Sequence, residues 1–190
     1  SLSLIERARD RQADAWERLV DLYAPLVHFW CRQSNLRNED LSDVFQEVFQ
    51  AVAQHLHKFR HEREGDTFRG WLRTITRNKI RDHFRKHGEE PAAPGGTEAQ
   101  QMIQIVPDPV MDESQEAPYV HAQLMQALEW IRGEFEERTW KAFWAVQMEN
   151  QTPKDVGEKL EMTAAAVRKA RYRVLDRLRQ ELDGMLPEGE

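Results

Sequence analysis

The sequence predicts an all-α protein of two small helical domains joined by a flexible acidic linker. Apolar residues recur every three or four positions over most of the chain, and no segment shows the alternating pattern of a half-buried strand. Proline and glycine are concentrated in one stretch between the two helical regions. We therefore expect an N-terminal helical bundle over residues 1–88, a linker over 89–118 and a C-terminal four-helix domain over 119–186.

Three segments of the first 88 residues have helical periodicity. Residues 13–31 place large apolar side chains on one face, and Pro25 is expected to bend this helix without splitting it. Residues 40–59 and 66–86 repeat the three- and four-residue spacing. Short connections between amphipathic helices favour an antiparallel bundle of three or four helices.

The stretch from Gly88 to Pro118 is predicted to be the linker, because it holds five of the eight prolines and is strongly acidic. One long ordered loop inside a single domain is the alternative, although such loops are uncommon in compact domains. Residues 89–137 carry a net charge of −10, whereas residues 1–88 carry +3 and residues 138–190 carry +1. The overall charge of −6 therefore arises in the middle of the chain. Nucleic acid responds to the local field within about 8–10 Å, so both ends can still bind it.

The second domain has helical periodicity from Tyr119 to Met148 and then the signals of a helix-turn-helix. Thr152 is a good N-cap, Pro153 suits the first helical position, and Asp155 completes a capping box. Glu161–Thr163 is predicted to be the turn, with Thr163 capping the next helix.

The helix after the turn has an apolar stripe and a basic opposite side. Its three initial alanines leave the N-terminal end slim enough to enter a major groove. Arg171 falls inside the apolar stripe, so we expect it to extend to the surface or to pair with an acidic residue. The alternative to a DNA-reading helix is an amphipathic surface helix whose arginines are only solvated. The stripe consists of Val167, Ala170, Val174, Leu175, Leu178 and Leu182, and the opposite side carries Arg168, Lys169, Tyr172, Arg173, Arg177 and Arg179.

Three segments in order resemble bacterial sigma factors of the extracytoplasmic-function (ECF) group of the sigma-70 family. DVFQEVFQAVAQHLHKFR (Asp43–Arg60) is similar to the family's polymerase-binding helix, and FRGWLRTITRNKIRDHFRK (Phe68–Lys86) to its −10-reading helix. Asp155–Leu182 is similar to its −35-reading helix-turn-helix. The resemblance covers nearly all the chain except the linker.

The resemblance implies an alternative sigma factor that binds core RNA polymerase and directs it to specific promoters. It assigns polymerase binding to Asp43, Gln46, Glu47 and Phe49. It assigns −10 DNA binding to Arg73, Arg77, Asn78, Lys79, Arg81, Arg85 and Lys86. It assigns −35 DNA binding to Thr163, Arg168, Lys169, Tyr172, Arg173 and Arg177. From the residues alone, Phe49 could equally belong to the bundle core.

The sequence departs from the family pattern at the turn and in the reading helix. Glu161 stands where the family usually has glycine, which costs about 1 kcal/mol if φ is positive there. Ala170 and Arg171 replace the usual Arg and Leu, so promoter preference cannot be transferred. Anti-sigma proteins often hold such factors inactive, and the sequence leaves open whether this chain has one.

An enzyme, a cofactor and a metal are not expected. No phosphate-binding loop, nucleophile elbow or HExxH motif is present. His57 and His61 could share a helix face but lack an evident carboxylate partner. Cys31 is the only cysteine and no run is long and apolar enough to span a membrane, so we expect a cytoplasmic protein. A stand-alone helix-turn-helix regulator and a helical protein-interaction adaptor are the alternative functions.

Overall fold

The computed structural model describes residues 2–61, 66–87 and 112–185, and every regular element in these ranges is helical. The first half contains α1 (Leu4–Arg9), α2 (Ala13–Gln33), α3 (Asn38–His55) with a 3₁₀ turn at Leu56–Lys58, and α4 (Phe68–His87). Helices α2, α3 and α4 all pack on one another. This arrangement confirms the predicted helical bundle.

The second half contains a 3₁₀ turn at Glu113–Gln115 followed by α5 (Ala117–Arg132), α6 (Glu137–Gln147), α7 (Pro153–Leu160) and α8 (Ala164–Glu181). Helix α8 packs on α5, α6 and α7. A small apolar cluster of Ala142, Val156, Val167 and Ala170 holds the helix-turn-helix against α6. The four predicted helices are therefore present.

The two halves share one apolar core. Trp30 and Phe68 of the first half belong to the same buried cluster as Leu128, Ile131 and Met185 of the second. Polar contacts also cross between the halves: Gln123 Nε2 donates to the Leu22 carbonyl at 3.0 Å, and Arg7 pairs with the buried carboxylate of Glu181. The sequence did not predict this docking.

One short helix was not predicted from the sequence. Helix α1 was missed because six residues are too few to show a period; Ser3 and Glu6 form its capping box. Helix α2 runs from Ala13 to Gln33 and is not split at Pro25, as predicted. The 3₁₀ turn at Glu113–Gln115 lies within the range predicted as linker, residues 89–118. The rest of the predicted linker, residues 88–111, lies outside the described residues.

Candidate polymerase and nucleic-acid interfaces

The polar face of α3 carries three of the four predicted polymerase-binding residues. Asp43 and Gln46 are exposed, and Glu47 is half-buried. Because α-helical positions three and four apart share a face, these side chains form one acidic and polar patch. Phe49, by contrast, is only 8% exposed, and its ring lies tilted against that of Phe45 with the ring centroids 4.9 Å apart. Phe49 thus packs in the bundle core, the alternative that its residue type left open, and adds no exposed aromatic side chain to the patch.

Helix α4 presents a polar stripe along its outer side. Leu72, Thr76, Ile80 and His83 are buried and fix the opposite side against the bundle. At about 100° per residue, the outer stripe consists of Thr74, Arg77, Asn78, Arg81 and Arg85. Arg77, Asn78 and Arg85 are exposed, and Arg81 is half-buried. Four of the seven predicted −10 residues thus lie on one continuous face.

The other three predicted −10 residues lie away from the centre of this stripe. Lys79 is half-buried and Lys86 is exposed near the end of the helix, and both fall on one flank. Arg73 is on the opposite flank, which faces the second half of the chain. There it pairs with Glu113, lies 3.6 Å from a carboxylate oxygen of Glu116, and sits over the Trp30 ring. Burial lowers the pKa of Arg73 and Glu116 partly offsets that effect.

The helix-turn-helix has the caps that the sequence predicts. The Thr152 hydroxyl accepts from the Asp155 N–H at 3.2 Å, and the Thr163 hydroxyl accepts from the Ala166 N–H at 3.1 Å. Glu161 ends α7 with φ 54° and ψ 47°, so the conformation usually given to glycine is adopted by a residue with a side chain.

Gly157 allows the turn to close tightly over α7. A Cβ atom at this position would lie 2.6 Å from the Met162 carbonyl oxygen and 3.5 Å from the Ala164 nitrogen. The close neighbour is therefore the backbone of the turn and of the start of α8. Only a residue without a side chain fits, which fixes the angle between α7 and α8.

The N-terminal half of α8 presents an exposed polar and basic surface. Val167, Ala170 and Val174 are buried and orient the helix. The opposite side consists of Arg168, Lys169, Tyr172 and Arg173, all exposed, with Thr163 exposed at the helix start. Tyr172 is 64% exposed, which is unusual for a large aromatic residue in this structure. Five of the six predicted −35 residues are therefore accessible together.

Arg177 differs from that prediction because it is used inside the protein. Its guanidinium forms two hydrogen bonds to Glu134, at 2.7 and 2.8 Å, and lies 2.9 Å from the buried Glu181 carboxylate. The hydrogen bonds that Arg177 donates to the Glu134 carboxylate are the main reason that the pKa of Arg177 is raised. Arg177 lies about 90° from the centre of the apolar stripe but only about 20° beyond Ala170 at its edge, so its angle could have indicated a partly buried position.

Arg171 extends to the surface, which is the first of the two outcomes expected for it. It is exposed, and its Nε donates to the Gln147 Oε1 at 2.8 Å. The partner is thus a neutral amide on α6, and no acidic residue is needed.

The described residues contain no group of three or more His, Cys, Asp or Glu side chains arranged to hold a metal ion. Likewise, none of the described helices is long and apolar enough to cross a membrane.

Comparisons with known proteins agree with the geometry of the first half. Residues 19–90, which contain most of α2 and all of α3 and α4, match the family "Sigma-70 region 2". An ECF RNA polymerase sigma factor, BldN of Streptomyces coelicolor, is 32% identical over 84 residues, which are 44% of this chain. The matched part is 31% of the length of that relative. A chain in the 1.8 Å structure of the RsbN–BldN complex is 17% identical, with a TM-score of 0.39 over 92% of this chain and 96% of that one.

The first half, with its acidic α3 face and basic α4 stripe, thus matches the sigma-70 region 2 family over residues 19–90. The chain is also similar in part to an ECF sigma factor.

Proposed function

We propose that this chain is an alternative sigma factor that binds core RNA polymerase through α3 and promoter DNA through α4 and α8. Its first unit (residues 1–88) would contact the polymerase clamp and read and melt the −10 element. Its second unit (119–186) would read the −35 element. Such a role places the protein in the cytoplasm with the polymerase.

The observation that supports this proposal best is that two separate helices of the chain, those predicted to bind DNA, carry exposed arginine side chains. Arg77, Asn78 and Arg85 are exposed on α4, and Arg168 and Arg173 on α8. Arginine side chains bind phosphates and read guanine edges, and a capped helix N-terminus adds backbone N–H donors. The acidic surface on α3 belongs to neither of these sets and is available for a protein partner.

Reconstitution with core polymerase tests the proposal. The chain should form a stoichiometric complex with core enzyme, and that complex should start transcription from a subset of genomic promoters. A stand-alone helix-turn-helix regulator would instead bind its operator tightly without polymerase, and an adaptor would bind neither. Absence of a complex with core polymerase would contradict the proposed function.

The family resemblance also implies a second kind of partner, an anti-sigma protein. Such a protein would have to cover the α3 patch or the two basic surfaces in order to prevent polymerase and promoter binding. Co-purification of a protein that dissociates when core polymerase is added would identify it.

A further inference from the structure

We propose that Tyr172 reads a thymine of the −35 element through the C5-methyl group of that base, and so gives this chain a base preference that its cations cannot supply. This inference rests on the proposed function, since it concerns the same surface of α8. Tyr172 would then differ in role from the arginine and lysine side chains around it, which bind phosphates and polar base edges.

The backbone of α8 directs Tyr172 away from the rest of the protein. At about 100° per residue, Tyr172 lies about 160° from the mean direction of the side chains that α8 buries. Arg168 and Arg173 lie about 120° and about 100° from that direction, on opposite sides of Tyr172. The central line of a helix in the major groove faces the base edges, so the tyrosine occupies this line with a cation on each flank. The buried side chains are Val167, Ala170, Val174, Leu178 and Glu181.

Tyr172 is free to contact a ligand. Its side chain is 64% exposed, and among the large apolar residues in the described ranges only Leu2 is also exposed. Tyr172 makes no hydrogen bond or ring contact with any residue in those ranges. A large aromatic ring contributes most to binding when an interface buries it, so the ring is available to a molecule that approaches α8.

The surface around Tyr172 is open towards the start of α8 and closed by charge towards its end. Ala165 lies on the same line two turns earlier, and it is exposed and too short to hold DNA away. Asp176 lies one turn after Tyr172 on the same side, and its carboxylate accepts from the Gln180 Nε2 at 2.9 Å. A carboxylate repels phosphate, so close contact with DNA should end before Asp176. Tyr172 is then the last side chain on this line to meet base edges, about 12 Å along the helix from Ala164.

The chemistry of the phenol ring distinguishes among the four bases. Thymine alone presents an apolar group in the major groove, the C5-methyl, next to its O4 acceptor. The Tyr172 ring can pack on this methyl group while its hydroxyl donates to O4 or to water. The other three bases present only polar groups there, and covering a polar group without a hydrogen bond is unfavourable. Thymine is therefore the base that gains most from contact with Tyr172.

The test uses holoenzyme reconstituted from core polymerase and the full chain. One promoter that this holoenzyme transcribes is randomised over its −35 element, and the sequences retained by the parent are compared with those retained by Tyr172→Ala and Tyr172→Phe. Gln180→Ala is the matched control, because Gln180 is exposed on the same side of α8 but lies beyond Asp176. The best-bound fragment is then made again with deoxyuridine in place of the selected thymine, which removes only the methyl group.

We expect the parent and the control to enrich thymine at one −35 position. Tyr172→Ala should lose that enrichment while the preferences at the other positions remain. Deoxyuridine should weaken binding by the parent about fourfold, which corresponds to one buried methyl group. Tyr172→Phe should show the same loss, whereas Tyr172→Ala should bind the two fragments equally. Because Tyr172 is exposed, neither substitution should lower the midpoint of thermal unfolding.

Three results would contradict this reading of thymine, and they are distinguishable. If the parent binds the thymine and deoxyuridine fragments equally, the inference is overturned, while a holoenzyme that starts transcription leaves the proposed function intact. If Tyr172→Ala weakens binding to every sequence and thymine is still enriched, Tyr172 contacts the DNA backbone and the inference is again overturned. If the chain forms no complex with core polymerase, the proposed function is contradicted, and the inference with it.

Discussion

The hydrogen bond between Trp30 and Glu116 gives a direct measure of how strongly the two halves are joined. Both side chains are almost fully buried, and the Nε1–Oε1 distance is 2.8 Å. Trp30→Phe removes the donor and leaves a buried carboxylate with one fewer partner. A hydrogen bond to a charged group contributes about 1.5–3 kcal/mol, and the smaller ring adds a cavity cost. We therefore expect Trp30→Phe to lower the free energy of unfolding by about 3–4 kcal/mol.

A double-mutant cycle separates the free-energy contribution of the hydrogen bond from the cost of the cavity. Trp30→Phe, Glu116→Met and their combination are compared by urea denaturation, because methionine keeps the volume of glutamate without an acceptor. The coupling free energy should be about 1.5–3 kcal/mol. Trp144→Phe, at a half-buried position on α6, is the matched aromatic control and should cost less than about 1.5 kcal/mol. A coupling below about 0.5 kcal/mol would refute the reasoning that this bond joins the halves.

Three further predictions concern the candidate interfaces. Reversing the charge of Asp43 and Glu47 together should weaken core polymerase binding at least tenfold while changing the free energy of unfolding by about 0.5 kcal/mol or less. Normal binding would contradict the assignment of α3 as the polymerase-binding helix. Arg168→Ala should relax the base preference at one −35 position and cost about 1–3 kcal/mol of binding free energy. Arg173→Ala should weaken binding to all sequences alike and reduce the salt slope by about one. Binding of the holoenzyme to −35 variants distinguishes the two results. Gly157→Ala should destabilise the second half by more than about 2 kcal/mol, because the added Cβ would lie 2.6 Å from the Met162 carbonyl oxygen. A variant whose thermal unfolding matches that of the parent would disprove this close contact.

Much of the helical structure could be predicted from local patterns. The caps at Thr152 and Thr163 and the apolar stripe of α8 depend on residues within a few positions of one another, so sequence spacing describes them well. Accessible positions on α8 followed from the same angular reasoning, whereas those on α4 came from the family resemblance. Periodicity is less informative for residues near the edge of a stripe, which explains why Arg177 was assigned to the surface.

The contacts that cross between the halves could not be predicted in this way. Arg73 and Arg177 are both cations on helices predicted to bind DNA, yet each is paired with carboxylates that come from distant parts of the chain. The sequence shows that these acidic residues exist but not which cation they reach.

The sequence by itself determined the helices, their caps and the basic faces, because each depends on side chains that are close in the chain. Only the tertiary structure decided that Trp30 and Phe68 share a core with the second half, and that Glu113 and Glu116 lie against α4. The physical reason is that docking depends on how two apolar surfaces fit together and on which buried charges then find partners. That fit is a property of the folded surfaces and not of any local spacing.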